Sequence, residues 1–179
     1  VAVVPSPWVE GRKLIHIGIK GYDIAPEEQP RSNLVFLLDV SGSMNAPDKL
    51  PLVKQSMNML LSKLQPEDTV SIAVYAGAAG TVLEPTPVSE KQKIMDALDR
   101  LRAGGSTAGG QGIRLAYELA EANFDENAVN RVILATDGDF NVGITNREEL
   151  KSFIERKRES GVFLSVLGFG QGNLNDSLM

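Results

Sequence analysis

The chain has 179 residues, 42% of them hydrophobic, and carries 23 acidic against 18 basic side chains for a net charge of −5. That length and apolar content suit one compact domain, and the acidic balance offers no broad basic surface for a phosphate backbone, which argues against a nucleic-acid partner. Cysteine is absent, which excludes disulfide frameworks, thiolate metal sites and cysteine nucleophiles.

Residues 1–12 contain two prolines and read as an extended lead-in. From Leu14 to Lys20 the isoleucines Ile15, Ile17 and Ile19 alternate with other residues, which predicts a half-buried strand with the single histidine, His16, on the opposite face. Trp8 is assigned to packing rather than recognition. Residues 25–32 carry Pro26, Pro30 and several charges and read as a connector. Residues 1–32 are thus a lead-in to the main unit, which runs from 33 to 179.

The run LVFLLD from Leu34 to Asp39 is apolar without alternation, as in a parallel strand buried on both faces. Leu50, Val53, Met57, Leu60, Leu61 and Leu64 then mark one apolar helical face. A strand follows at 69–76, a short one near 81–83, and a helix over roughly 89–102. The loop GGSTAGG opens a helix bearing Ile113, Leu115 and Leu119. A strand at 131–136, a helix with Leu150, Phe153 and Ile154, and a strand at 162–170 complete the pattern. This alternation predicts an α/β, doubly wound, mainly parallel sheet with helices on both faces. The charged run Lys151 to Glu159 mixes both signs and reads as a solvated helix face. No apolar run approaches the roughly 18 residues that cross a bilayer.

Doubly wound sheets hold ligands at the carboxyl ends of their strands. Three loops there draw attention: DVSGSM, GGSTAGG and ATDGD. In the first, Asp39, Ser41 and Ser43 alternate and can converge. Thr107, framed by glycines, and Asp137, ending a neighbouring strand, add two more oxygens. An all-oxygen donor set suits a hard cation, and Mg²⁺ takes about six oxygens near 2.1 Å. Each motif alone is equally a capped turn, since Asp, Ser and Thr are favoured helix caps and Asp-Gly a common turn. All three at successive strand ends, in order, point to a metal site. With only two carboxylates the ion stays open to a further anionic oxygen.

The segments NLVFLLDVSGSM, the Thr107 loop and ILATDGDFNVG resemble a von Willebrand factor type A domain, over roughly residues 33–176. DxSxS, Thr107 and Asp137 match its metal-ion-dependent adhesion site (MIDAS). The resemblance implies that Ser41, Ser43 and Thr107 contact the metal directly and that Asp39 and Asp137 often act through water. It also implies that an Asp or Glu of a protein partner completes the shell, around Mg²⁺, Mn²⁺ or Ca²⁺. Met44, Asn45, Ala78, Ala79, Phe140 and Asn141 are the expected rim, with Met44 and Phe140 as an apolar edge if exposed. The lead-in KLIHIGIKGYDI, the loop VYAGAAG and the ending GFGQGN are closest to a bacterial group of cell-envelope proteins. The family pattern runs on for another helix and strand beyond Asn173. The strand at 162–168 is therefore expected to be a sheet edge, open to cover by the N-terminal strand or another chain.

An enzyme requires a nucleophile with an activating base. Ser41 and Ser43 could attack, but no lysine or second histidine neighbours them in the sequence and His16 lies in another segment. GGSTAGG lacks the lysine of a phosphate loop, and aspartyl phosphotransferases carry DxD where this chain has DxS. Metal-assisted hydrolysis, with Asp139 as the spare carboxylate, is the runner-up. A purely structural ion is the third reading. The chain reads as a non-enzymatic, metal-dependent binding module.

Overall fold

The computed structural model describes residues 1–19, 29–76, 78–104, 111–138 and 147–170. Its centre is a five-stranded sheet in the order β5-β4-β3-β6-β7, with β3 at Ser32–Asp39, β4 at Thr69–Ala76, β5 at Ala78–Pro87, β6 at Val129–Thr136 and β7 at Val162–Gly168. Four strands are parallel, and β5 returns antiparallel to β4. Helices α1 (Leu50–Leu61), α2 (Lys91–Arg100), α3 (Gly112–Ala122) and α4 (Arg147–Glu159) connect them. The doubly wound expectation holds. β5 is longer than the short strand expected near 81–83, because the run from Ala78 continues β4 as its antiparallel partner.

β3 explains why its sequence lacks alternation. Leu34, Phe36 and Leu38 point into a core shared with Leu50, Val53, Met57 and Leu61 of α1 and Ile94 and Leu98 of α2. Val35 and Leu37 point the other way, against Ile113, Tyr117 and Leu119 of α3 and Phe153 of α4. A strand covered on both faces must be apolar at every position, and each fully buried Leu, Ile or Val contributes roughly 1.5–3 kcal/mol. Gly112 lets α3 lie close on β4, since a Cβ there would stand 2.9 Å from Tyr75 Cβ. The mixed-charge face of α4 is exposed apart from its packed side, as expected.

The lead-in departs from expectation. β1 (Ala2–Pro5) and β2 (Lys13–His16) form a separate antiparallel pair in which all eight residues are exposed. Ile15 is exposed on it and Ile17 just beyond it, and Trp8 in the intervening turn is 77% exposed rather than packed. Alternation alone could not decide whether a second layer lies over the isoleucines; among the described residues none does. The N-terminal strand pairs within this hairpin instead of covering β7, which stands at the outer edge beside β6 with Phe163 and Leu167 exposed.

Strand order reverses at β3: its connection through α1 leads to β4 on one side, while β6 pairs on the other. The carboxyl ends of β3 and β6 therefore open a crevice at the switch point. Asp39 ends one of these strands and Asp137 follows the other.

Candidate metal centre

The crevice is built around two buried carboxylates. Asp39 is fully buried and accepts three hydrogen bonds: Oδ1 from the Ser41 N–H at 2.9 Å, and Oδ2 from the Tyr75 hydroxyl at 3.2 Å and the Thr136 hydroxyl at 3.3 Å. The two hydroxyl donors come from β4 and β6, on either side of β3, so the carboxylate is clamped across three strands. Thr136 Oγ1 in turn accepts the Gly138 N–H at 3.2 Å, and Gly138 holds φ at 104°. Burial raises the Asp39 pKa; the hydrogen bonds from Ser41 and Tyr75 oppose that rise, and the charge of Asp137 adds to it. Burial also pushes the Tyr75 phenol upward, with the Asp39 charge in the same direction. Tyr75 thus keeps its proton and serves Asp39 as a hydrogen-bond donor.

After Asp39 the chain stays extended at Ser41 and then winds into a single 3₁₀ turn, Gly42–Asn45. The turn, not simple alternation, brings the two serines together: Ser41 Oγ and Ser43 Oγ lie 3.0 Å apart, Ser41 buried and Ser43 exposed. The Met44 N–H donates to the Ser41 carbonyl at 3.0 Å and closes the turn.

Met44 corrects one expectation. The turn sends its side chain inward, where it is fully buried in the α1 side of the core. It therefore anchors the DxSxS turn and gives no apolar edge to a rim. Asn45 is exposed at the end of the turn. Ala79 lies on β5 opposite Tyr75, at the same end of the sheet. Thr107, Asp139, Phe140 and Asn141 fall outside the described residues.

Three residues entered the site without a sequence signal strong enough to name them. Tyr75 and Thr136 are strand-end residues flanking Asp39; a polar tip in an otherwise apolar strand is the cue for both. Lys49 comes from the segment before α1, and its Nζ pairs with Asp137 Oδ2 at 2.8 Å, the side chains 12% and 0% exposed. No lysine adjoins the serines in the sequence, but the chain folds this one back over the crevice.

The arrangement suits a hard cation. An ammonium already lies against Asp137, so the pocket accepts positive charge, and the donors are all oxygen. Among the described residues no three of His, Cys, Asp and Glu gather as a metal-binding group; the oxygens on hand there are the carboxylates of Asp39 and Asp137 and the hydroxyls of Ser41 and Ser43. The described residues contain no helix long and apolar enough to cross a membrane.

Residues 33–179 match the family described as the von Willebrand factor type A domain. The chain is 44% identical over 177 residues to the uncharacterized protein YfbK of Escherichia coli strain K12, covering 99% of this chain and 31% of that protein. It is 26% identical, with a TM-score of 0.58, to the crystal structure of an aerotolerance-related membrane protein from Bacteroides fragilis, covering 78% of this chain and 68% of the other. Proximal thread matrix protein 1 from the mussel byssus, in a structure with a zinc-occupied MIDAS motif, shares the fold with a TM-score of 0.68 at 21% identity; the likeness covers 84% of this chain and 41% of that one.

Proposed function

The chain belongs to the von Willebrand factor type A family, and from that premise we propose that it is a divalent-metal-dependent protein-binding module. Residues 33–179 form the binding domain and 1–32 its lead-in. Ser41, Ser43 and Thr107 hold the ion directly; Asp39 and Asp137 lie in the shell or just behind it. An Asp or Glu of a partner protein supplies the remaining oxygen. Asn45, Phe140 and Asn141 form the rim that gives selectivity.

The observation that carries this reading is the 3.0 Å separation of Ser41 Oγ and Ser43 Oγ. Two adjacent ligands of an octahedral ion, each near 2.1 Å from it, are separated by about 3.0 Å, so this hydrogen-bonded hydroxyl pair has the spacing of one edge of such a shell, which supports the reading. Asp39 supports the same assignment from behind. Its carboxylate already accepts three protein hydrogen bonds, which suits contact through water. Two carboxylates neutralise a divalent ion only just, which leaves the loaded site ready for a further acidic oxygen from a partner.

The role is binding rather than catalysis, with Mg²⁺, Mn²⁺ or Ca²⁺ as the ion. The site belongs in the bacterial cell envelope or periplasm, a reading supported by the bacterial relatives, one of them a membrane protein. Calorimetric titration of metal-stripped protein with each ion, beside Asp39→Ala and Asp137→Ala, tests the proposal. One ion per chain, lost in both variants, is the expected result. Binding indifferent to both substitutions would remove the metal site and the function built on it.

A further inference from the structure

Lys49 stands at a position that the adhesion reading does not use. Its backbone N–H donates to the Ala46 carbonyl at 3.0 Å and its carbonyl accepts the Val53 N–H at 2.9 Å, so the residue is fixed between the DxSxS turn and α1. From there the side chain crosses the crevice to Asp137 Oδ2. Its route is shaped: a Cβ on Gly170, beyond β7, would lie 2.7 Å from Lys49 Cε and 3.3 Å from Cγ. Gly170 also holds φ at 89°, where a side chain is strained. The stem therefore lies against bare backbone, the whole side chain 12% exposed and its ammonium set against a fully buried carboxylate.

The charge balance gives this pair a purpose. Asp39 and Asp137 are both buried at the switch point, and each charge disfavours the other. Without an external cation, an uncompensated Asp137 would be costly to keep buried. The ammonium supplies the compensation. A divalent ion brought to the same carboxylate, directly or through water, would face a like charge, and a repulsion of this kind is strong where solvent is displaced.

We propose that Lys49 is the site's built-in counter-cation: its ammonium holds Asp137 while no ion is bound and gives way when a divalent cation arrives, so that Lys49 sets the metal affinity. The inference rests on the metal reading above and adds a competitor within the chain. No proton need move, because the lysine stays charged throughout. The cost of detaching the ammonium from Asp137 is subtracted from the binding of the ion, so the wild-type domain stays folded when metal is scarce and fills only above a threshold concentration.

The test is a titration of metal-stripped chain with Mg²⁺ and Mn²⁺, comparing wild type with Lys49→Met, which keeps the stem, and Lys49→Arg, which keeps the charge. Lys49→Met should bind the ion at least about tenfold more tightly than wild type, with a lower melting temperature in the metal-free state, while Lys49→Arg stays near wild type. Binding by Lys49→Met alone would support the same conclusion. Equal or weaker binding by Lys49→Met, with wild type binding normally, would overturn the role of Lys49 and leave the metal site standing. No binding by any of the three proteins would remove the metal reading and this inference together. Should Lys49→Met fail to fold, wild-type protein labelled with ¹³C at lysine Cε gives a second readout. The signal missing in Lys49→Arg identifies Lys49; it should shift on saturation with Mg²⁺, and an unmoved signal at saturation would overturn the proposal.

Discussion

Tyr75 stands opposite Asp39 in the β3–β4 register, and its phenol donates to Asp39 Oδ2 at 3.2 Å. The strand pairing that fixes the fold thus also orients the acid at the centre of the site. Groups that orient a metal ligand from behind commonly govern affinity by about 10- to 100-fold. Tyr75→Phe keeps the ring that packs beneath α3 and deletes only this donor. It should weaken Mg²⁺ binding by roughly tenfold, with the fold retained, as followed by calorimetry and thermal unfolding on the same samples.

At the far end of β6 a second buried polar group does structural work. Asn130 Oδ1 accepts from Asn33 Nδ2 at 3.1 Å and from the Asp125 N–H at 3.3 Å, while its Nδ2 donates to the carbonyls of Asp125 at 2.7 Å and Ala128 at 3.1 Å. Asn130→Ala strands several of these partners in a buried environment and should cost about 3 kcal/mol of stability in denaturant unfolding. Metal affinity should hold to within about twofold, since additivity fails only for sites in contact. A large change in affinity would mean that the two ends of β6 are coupled.

Much of the fold was legible because its signals are redundant. The apolar run of β3, the helical stripe beginning at Leu50 and the run at 131–136 each report a buried face, and their alternation constrains the topology. The lead-in strand is exposed where half burial is expected, because the Ile15, Ile17 and Ile19 pattern records amphipathic chemistry, not the presence of a covering layer. Met44 was placed on the rim because sequence proximity to Ser43 does not say which way a 3₁₀ turn throws a side chain. Lys49 and Asp137 are separated by 88 positions; their meeting depends on the crossing of α1 over the sheet and on the space left at Gly170, neither of which is a local property of the sequence.

Tyr117 offers a check on the α3 side of the core. Its hydroxyl is buried without a hydrogen-bond partner among the described residues, and burial pushes its pKa from 10.0 up to about 12, with the Glu121 charge adding to the rise. The folded state therefore keeps a proton that the unfolded state loses. The stability tied to this group is full below pH 10.0 and is lost as pH climbs to about 12. Tyr117→Phe should remove that alkaline slope, and at pH 7 it should leave stability unchanged or raise it by up to about 1 kcal/mol, because an unsatisfied hydroxyl is taken out of the core. Urea unfolding between pH 7 and 11 reads both effects.

The most direct test of the central claim is a crystal of the chain grown or soaked with Mn²⁺, with data collected at the manganese edge. One anomalous peak should lie within about 2.2 Å of Ser41 Oγ, Ser43 Oγ and Thr107 Oγ1, with Asp39 and Asp137 at or just beyond that distance. A fully loaded crystal with no peak between those hydroxyls, or with its peak elsewhere, would contradict the assignment and return the DxSxS turn to the status of a capped loop.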